Sequence, residues 1–189
     1  MATKRSVNRQ QGKSVVSSLR HVLVVGGTIT EWDDLGQQRW VERRHDLTKV
    51  VTHAGAAWLT LRPYEDGATA RVCAMRRLIE AHDGCTIIVD PSPDGRARFL
   101  RAVEQLRDRG VTSIDEVALA SELMSPAPCE PDLTVVLGPS TQLPPSLVWE
   151  LSYCELVFID TSWDHLSGEH IEQAINEYAR RHRRFGGIE

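Results

Sequence analysis

A chain of 189 residues with 41% hydrophobic and 25% charged side chains has the make-up of one ordinary globular domain. At this length roughly 70% of the unfolded surface is hidden on folding, without help from disulfides or a structural metal. The longest apolar runs, Val22 to Val25 and Leu156 to Ile159, are far short of the roughly 20 residues that cross a bilayer. Cys73, Cys85, Cys129 and Cys154 contain no C-x-x-C pair and follow no apolar leader, the usage expected in a reducing cytoplasm.

Net charge is −4, yet residues 1–20 hold Lys4, Arg5, Arg9, Lys13 and Arg20 and no acid. Such a Ser- and Gln-bearing stretch lacks the apolar surface to offset its ordering entropy, so it reads as a disordered basic arm ahead of a single domain at 21–189. An arm of this charge would be drawn to anionic lipid or polyphosphate, which allows peripheral contact with a membrane. The acidic body, without aromatic and basic residues interleaved, argues against nucleic acid as a ligand.

In chain order, the first apolar run is His21 to Val25, which enters the turn Gly26-Gly27-Thr28. A helix is predicted at 37–54, a strand at Ala57 to Leu61, a helix at 68–82 and a strand at Cys85 to Val89. Two helices follow at 94–109 and 113–123, the second opened by Ser113 with Glu116 three residues on, a capping-box pattern. Leu133 to Leu137 is the fourth strand, Pro144 and Pro145 suit the first turn of a helix at 145–154, and Leu156 to Ile159 is the fifth strand. Ser167 can cap a last helix at 168–183, whose stripe Ile171, Ala174, Ile175 and Tyr178 leaves Arg180, Arg181 and Arg183 on the other side. Short, nearly all-apolar strands alternating with helices specify an α/β fold with a mainly parallel central sheet flanked by helices.

Few residues carry chemistry by spacing alone. Gly26-Gly27-Thr28-Ile29 lacks both G-x-G-x-x-G spacing and a P-loop lysine, so it reads as a tight turn that uses glycine for its φ freedom. It also resembles the opening of the asparaginases, but that family needs a longer chain and a second Thr-Asp-Gly segment that is not found here. The seven histidines form no H-x-x-x-H or H-E-x-x-H pair. Asp33-Asp34 and Glu65-Asp66 fall where turns are expected. Cys129 lies in a proline-rich loop without a neighbouring cation to make a thiolate.

The last third is more informative. Pro131-Asp132-Leu133 leads through a proline-rich loop into Leu147-Val148-Trp149-Glu150-Leu151-Ser152-Tyr153-Cys154-Glu155-Leu156-Val157-Phe158. Trp163 follows, and the chain closes on Arg180-Arg181-His182-Arg183-Arg184-Phe185-Gly186-Gly187. This series resembles the cis-prenyltransferases, the undecaprenyl diphosphate synthase family, with its P-D-L strand, L-x-W-Q-x-x-Y-x-E-x-x-F segment and R-R-x-R-R-F-G-G end. Upstream, His21-Val22, Trp32, Trp58 to Leu61 and Asp94-Gly95-Arg96-Ala97 are collinear with it. The resemblance implies the family's fold and a dimer, with Trp149, Tyr153, Phe158 and Trp163 near its interface. It also implies condensation of isopentenyl diphosphate onto an allylic diphosphate with Mg²⁺.

Against that pattern the chain departs where charge is needed. The aspartate and arginine of D-G-N-x-R-W fall on Gly27 and Glu31. The R-T-x-G-E-x-R-x-S segment falls on Val136, Leu137, Ser140, Gln142 and Pro144. Glu155, at the Y-x-E carboxylate, is the remaining candidate metal ligand. Losing a metal carboxylate and two diphosphate arginines removes several kcal/mol of charge stabilisation at each position. This set of losses resembles the Nogo-B-receptor-like accessory subunits of heteromeric cis-prenyltransferases, which also share the turn at Ser92 to Ala97 and keep a C-terminal R-x-G. The resemblance implies a catalytically deficient cytoplasmic subunit that lends Arg184, Phe185 and Gly186 to a catalytic partner. Mg²⁺ and the shared isopentenyl diphosphate would then lie in that partner's site. The alternatives are a homodimeric prenyl diphosphate synthase with a rebuilt site, and a non-enzymatic module that binds isoprenoid or diphosphate.

Overall fold

The computed structural model describes residues 19–64, 75–152 and 154–185. Its elements are β1 (His21–Val25), α1 (Ile29–Asp34), α2 (Gln37–His53), β2 (Trp58–Arg62), β3 (Leu78–His82), β4 (Cys85–Val89), α3 (Gly95–Asp108), α4 (Glu116–Met124), β5 (Leu133–Leu137), β6 (Glu155–Ile159) and α5 (Gly168–Phe185). A single 3₁₀ turn, Glu150–Ser152, precedes β6. The strands form one sheet in the order β3-β4-β2-β1-β5-β6. Every neighbouring pair is parallel except β3 with β4, which confirms the expected α/β class.

β1 and β5 lie side by side at the centre and are buried along their whole length, as strands covered on both faces must be. On one face Val22, Val24, Leu59 and Val135 pack against Trp40, Leu47 and Val51 of α2 and Ile171, Ala174 and Tyr178 of α5. The helical stripe read from sequence is thus the buried side of α5. A smaller cluster, Leu23, Val25, Val136 and Leu147, covers the other face, and α3 with α4 forms a satellite core around Ala102, Leu106 and Leu119. From β1 the chain builds outward to β2 and β4, then returns to the opposite side of β1 as β5. The crevice beyond the carboxyl ends of β1 and β5 is therefore the topological switch point, where open α/β sheets place their ligands.

Several local expectations change. Leu19 is buried in the core, and Arg20 donates from its backbone N and from Nη2 to Asp132. The domain therefore begins before residue 21. Residues 78–82 form a strand, not the end of a helix. Their burial alternates, and Asp83 and Gly84, both at positive φ, make the two-residue turn that pairs β3 with β4. The rest of the 68–82 prediction lies largely outside the described residues. At α4 the cap is Asp115, which accepts from Ala118 N, and not Ser113. The 145–154 segment gives only the 3₁₀ turn, because Pro145 O accepts from Gly95 N and Ser146 O accepts from Arg98 Nη1, which holds the loop against α3.

Candidate active site at the switch point

The turn after β1 is fixed from several sides. Gly26 N donates to Arg62 O at 3.0 Å, Tyr64 N donates to Gly27 O at 2.6 Å, and Trp32 Nε1 donates to Gly26 O at 2.8 Å. Thr28 caps α1: its Oγ1 accepts from Glu31 N at 3.1 Å, while Glu31 Oε2 accepts from Thr28 N at 2.7 Å. Glu31 therefore serves a reciprocal capping box.

Gly27 has φ +74, and a Cβ built there would fall 2.5 Å from Trp163 Cγ and 2.7 Å from Trp163 Cβ. Trp163 is 1% exposed. It stacks on Trp32 at 5.0 Å between ring centroids and 20° between planes, and both contact Trp40. The Arg43 guanidinium lies 4.8 Å from the Trp163 ring centroid, a buried cation over an aromatic face. Trp163 is thus a core residue of its own chain. Gly26 is crowded in the same way, with Leu137 Cδ1 2.4 Å from where its Cβ would stand.

Beyond β2 and β4 lies a group of charges that sequence reasoning missed. Arg62 ends β2, Asp90 follows β4, Arg98 belongs to α3 and Glu150 opens the 3₁₀ turn, and all four are buried. Arg98 reaches Asp90 Oδ2 through Nε at 3.2 Å and Glu150 Oε1 through Nη1 at 3.2 Å. Arg62 reaches Asp90 Oδ2 at 3.5 Å and donates from Nη1 to Glu150 Oε1. Burial opposes ionisation of Glu150, but Arg62 and Arg98 outweigh it and hold the carboxyl at about 2. Asp90 is held low against the same burial by the same two arginines. Burial, helped by Arg62, lowers Arg98 to about 10, so at neutral pH it stays charged. The sequence signal was a charge closing an apolar strand, in Leu59-Thr60-Leu61-Arg62 and Ile87-Ile88-Val89-Asp90.

The remaining predicted positions divide by place. Val136 and Leu137 are buried in β5, Pro144 is buried in the following loop, and Gln142 is exposed, with its Oε1 accepting from Tyr64 Oη at 3.4 Å. Glu155 opens β6 beside Leu133, in line with Val22. It therefore lies at the opposite end of the sheet from Gly27, where Arg181 Nη1 meets its Oε2 at 3.4 Å. The structure does not bring these two candidate metal positions together within the chain. Trp149 packs against Phe99 and donates to Glu130, while Phe158 is half-buried against the Leu23 cluster. Tyr153 and Gly186 lie outside the described residues; Arg184 and Phe185 belong to the last turn of α5.

The donor set does not suit Mg²⁺ at this turn. Position 27 has no carboxylate, and Asp90 and Glu150 are committed to arginines. Among the described residues no group of three or more His, Cys, Asp or Glu is arranged to hold a metal.

Residues 63–186 match the family described as "Putative undecaprenyl diphosphate synthase". The chain belongs to this family. Its turn at 26–31 lies ahead of the matched stretch. An isoprenyl transferase of Neisseria meningitidis serogroup B is 35% identical over 103 residues, 54% of this chain and 42% of that protein. Isoprenyl transferase 2 of Bradyrhizobium diazoefficiens is 28% identical over 155 residues, 77% of this chain and 61% of its own length. A ditrans,polycis-undecaprenyl-diphosphate synthase of Micrococcus luteus is 32% identical over 111 residues, 56% and 45% of the two chains. The family chain thus spans about half the length of such relatives. In fold it is similar to a probable undecaprenyl diphosphate synthase from Campylobacter jejuni, with TM-score 0.60, 17% identity and coverage of 89% and 99%. Lavandulyl diphosphate synthase from Lavandula x intermedia is comparable, with TM-score 0.61, 16% identity and coverage of 85% and 94%.

Proposed function

We propose that this chain is a catalytically deficient subunit of a cis-prenyltransferase assembly, in which a partner of the same fold condenses isopentenyl diphosphate with an allylic diphosphate. The single observation that carries this reading is the turn at the switch point. In place of a metal carboxylate it has Gly27 packed against Trp163, and in place of a phosphate-binding cation it has Glu31 bound into a helix cap. Two phosphate-bearing substrates need cations and donors at the reacting centre, and among the described residues Arg62 and Arg98, beyond the ends of β2 and β4, are neutralised by Asp90 and Glu150. The chain's contribution would then be structural support together with Arg184, Phe185 and Gly186, an arginine fork followed by a glycine whose N–H approaches phosphate unhindered. Mg²⁺ would belong to the partner. Contact with lipid would come through the partner, the product or the basic residues 1–18, since among the described residues no helix is long and apolar enough to cross a membrane.

A second reading, a homodimeric synthase with a rebuilt site, is favoured by the relatives, which carry the names of transferases and synthases. The comparisons support it better than the accessory role. Incubating the purified chain with isopentenyl and farnesyl diphosphates and Mg²⁺ separates the two. The accessory reading expects no polyprenyl product above background; steady product formation by the chain alone would replace it with the homodimeric one.

A further inference from the structure

We infer that the two ends of this chain build one cationic face that docks on an anionic lipid surface. The inference rests on the proposed role in polyprenyl synthesis for its biological sense, since the product of that reaction joins a charged diphosphate to a long hydrocarbon. Its physical basis is separate. Residues 1–20 and 180–184 hold nine of the 22 Lys and Arg and none of the 26 Asp and Glu, and the fold brings these two stretches to the same end of the sheet.

The first stretch is rooted at the amino end of β1. Leu19 is buried in the core, and Arg20 donates from its backbone N and from Nη2 to Asp132, just ahead of β5. Lys4, Arg5, Arg9 and Lys13, outside the described residues, are joined to the domain at this point. The second stretch closes α5, which ends beside the amino end of β6: Arg181 Nη1 donates to Leu156 O at 2.6 Å and meets Glu155 Oε2 at 3.4 Å. β1, β5 and β6 are neighbours, with Val22, Leu133 and Glu155 in register, so the two roots lie about 10 Å apart across the sheet. Arg20 is paired with Asp132, and Arg181 with Glu155 and Glu177, which fixes both roots in place. Arg180 is exposed, and its Nε donates to a backbone carbonyl, Asn176 O.

Charge elsewhere orients such a contact. α1, with Glu31, Asp33 and Asp34, and Asp160 after β6 lie at the opposite end of the strands, so an anionic surface attracts one end of the molecule and repels the other. A single diphosphate is gripped by a few donors converging in fixed geometry, whereas these cations are spread over residues 1–20 and the end of a helix. That spread suits an extended layer of headgroup charge, to which each basic residue near the surface adds its own attraction. Offsetting the dipole of α5 accounts for cations in its last turn, but not for an acid-free stretch rooted beside it.

Co-sedimentation of the full chain with phosphatidylcholine vesicles, with and without phosphatidylglycerol, tests this in the absence of substrate. Binding is expected to the vesicles that contain phosphatidylglycerol, and should be lost as salt rises from about 0.1 to 1 M, which shortens the screening length from about 10 to 3 Å. Arg184 keeps its proposed part at the diphosphate, so the helix end is tested through its neighbours. Arg180→Gln combined with Arg183→Gln should weaken partition by about 10- to 30-fold, and Lys4→Gln, Arg5→Gln, Arg9→Gln and Lys13→Gln together by at least ~100-fold. Arg180→Lys combined with Arg183→Lys should bind like the unaltered chain, which separates charge from packing. Equal partition to the two kinds of vesicle, or unchanged partition of the Arg180→Gln, Arg183→Gln chain, would overturn the inference. So would transfer of the chain from anionic vesicles to duplex DNA at equal phosphate concentration. None of these readouts involves turnover, so polyprenyl synthesis by the chain alone would replace the accessory reading and leave this surface standing.

Discussion

At the scale of single residues, the buried ionisable groups set the acid limit of the fold. His21 opens β1 and is enclosed: its Nδ1 lies 3.0 Å from Cys129 O and its Nε2 2.8 Å from Thr60 Oγ1. A carbonyl can only accept, so Nδ1 carries the proton and Nε2 accepts from the threonine hydroxyl. Burial lowers His21 from 6.5 to about 4. Between those values the unfolded chain binds a proton that the folded one refuses. Stability is therefore full above about 6.5 and falls as pH drops toward about 4, by about 3 kcal/mol. Urea midpoints measured from pH 7.5 to 4 should show this slope, and His21→Gln should flatten it. Glu150 acts in a separate window: with its pKa lowered from 4.5 to about 2, its contribution is present above 4.5 and lost as pH falls through about 2. Glu150→Gln keeps the shape but leaves Arg62 and Arg98 with Asp90 as their remaining charged partner among the described residues. Breaking a buried pair on one side costs about 3–5 kcal/mol, and denaturant unfolding at pH 7 should lose that much.

At the scale of elements, α1 is a six-residue helix held at its start by Thr28 and Glu31. Glu31→Arg would remove the half of the capping box in which the Glu31 carboxylate accepts from Thr28 N, and would put a cation in the first turn, so a loss of about 1 kcal/mol is expected by urea unfolding. The physical origin of each element decides how far the sequence revealed it. β1, β4 and β5 were legible to the residue because strands buried on both faces are written as unbroken apolar runs. β3 was not, because it is a half-covered edge strand whose Leu78 to His82 alternation is short. Its strongest marker, Asp83-Gly84, stood just past the end of the helix expected at 68–82 and was not used. The helix expected at 145–154 failed for a different reason: Arg98 and Gly95, some 50 residues away in sequence, hold its backbone. α1 was missed because a cap of two polar residues has no apolar period to announce it.

At the scale of the whole molecule, the switch point places Gly26, Gly27, Leu137 and Gly138 together, a convergence that the sheet order reveals and the spacing of the residues does not. The Trp32, Trp40 and Trp163 cluster and the Arg62, Asp90, Arg98 and Glu150 network were not legible, because they join residues from distant parts of the chain. Glu155 shows the same limit, since its motif gave its identity but only the sheet register shows it at the far end from Gly27. The proposed division of labour makes the end of α5 the part of this chain that matters to turnover. Arg184 lies on the last turn of that helix, well after the buried stripe of Ile171, Ala174 and Tyr178 that anchors it. Arg184→Ala should therefore leave the thermal midpoint of the isolated chain unchanged within about 2 °C. In an assembly co-expressed with the proposed catalytic partner, the same change would remove a charge-assisted donor to diphosphate. A loss of about 1.5–3 kcal/mol in transition-state or substrate stabilisation lowers kcat/KM by roughly 10- to 150-fold. Arg184→Lys should recover only part of this, because an ammonium supplies the charge without the fork. If turnover of the assembly were unchanged by Arg184→Ala, the terminus would have no share in substrate binding and the accessory role would reduce to structural support.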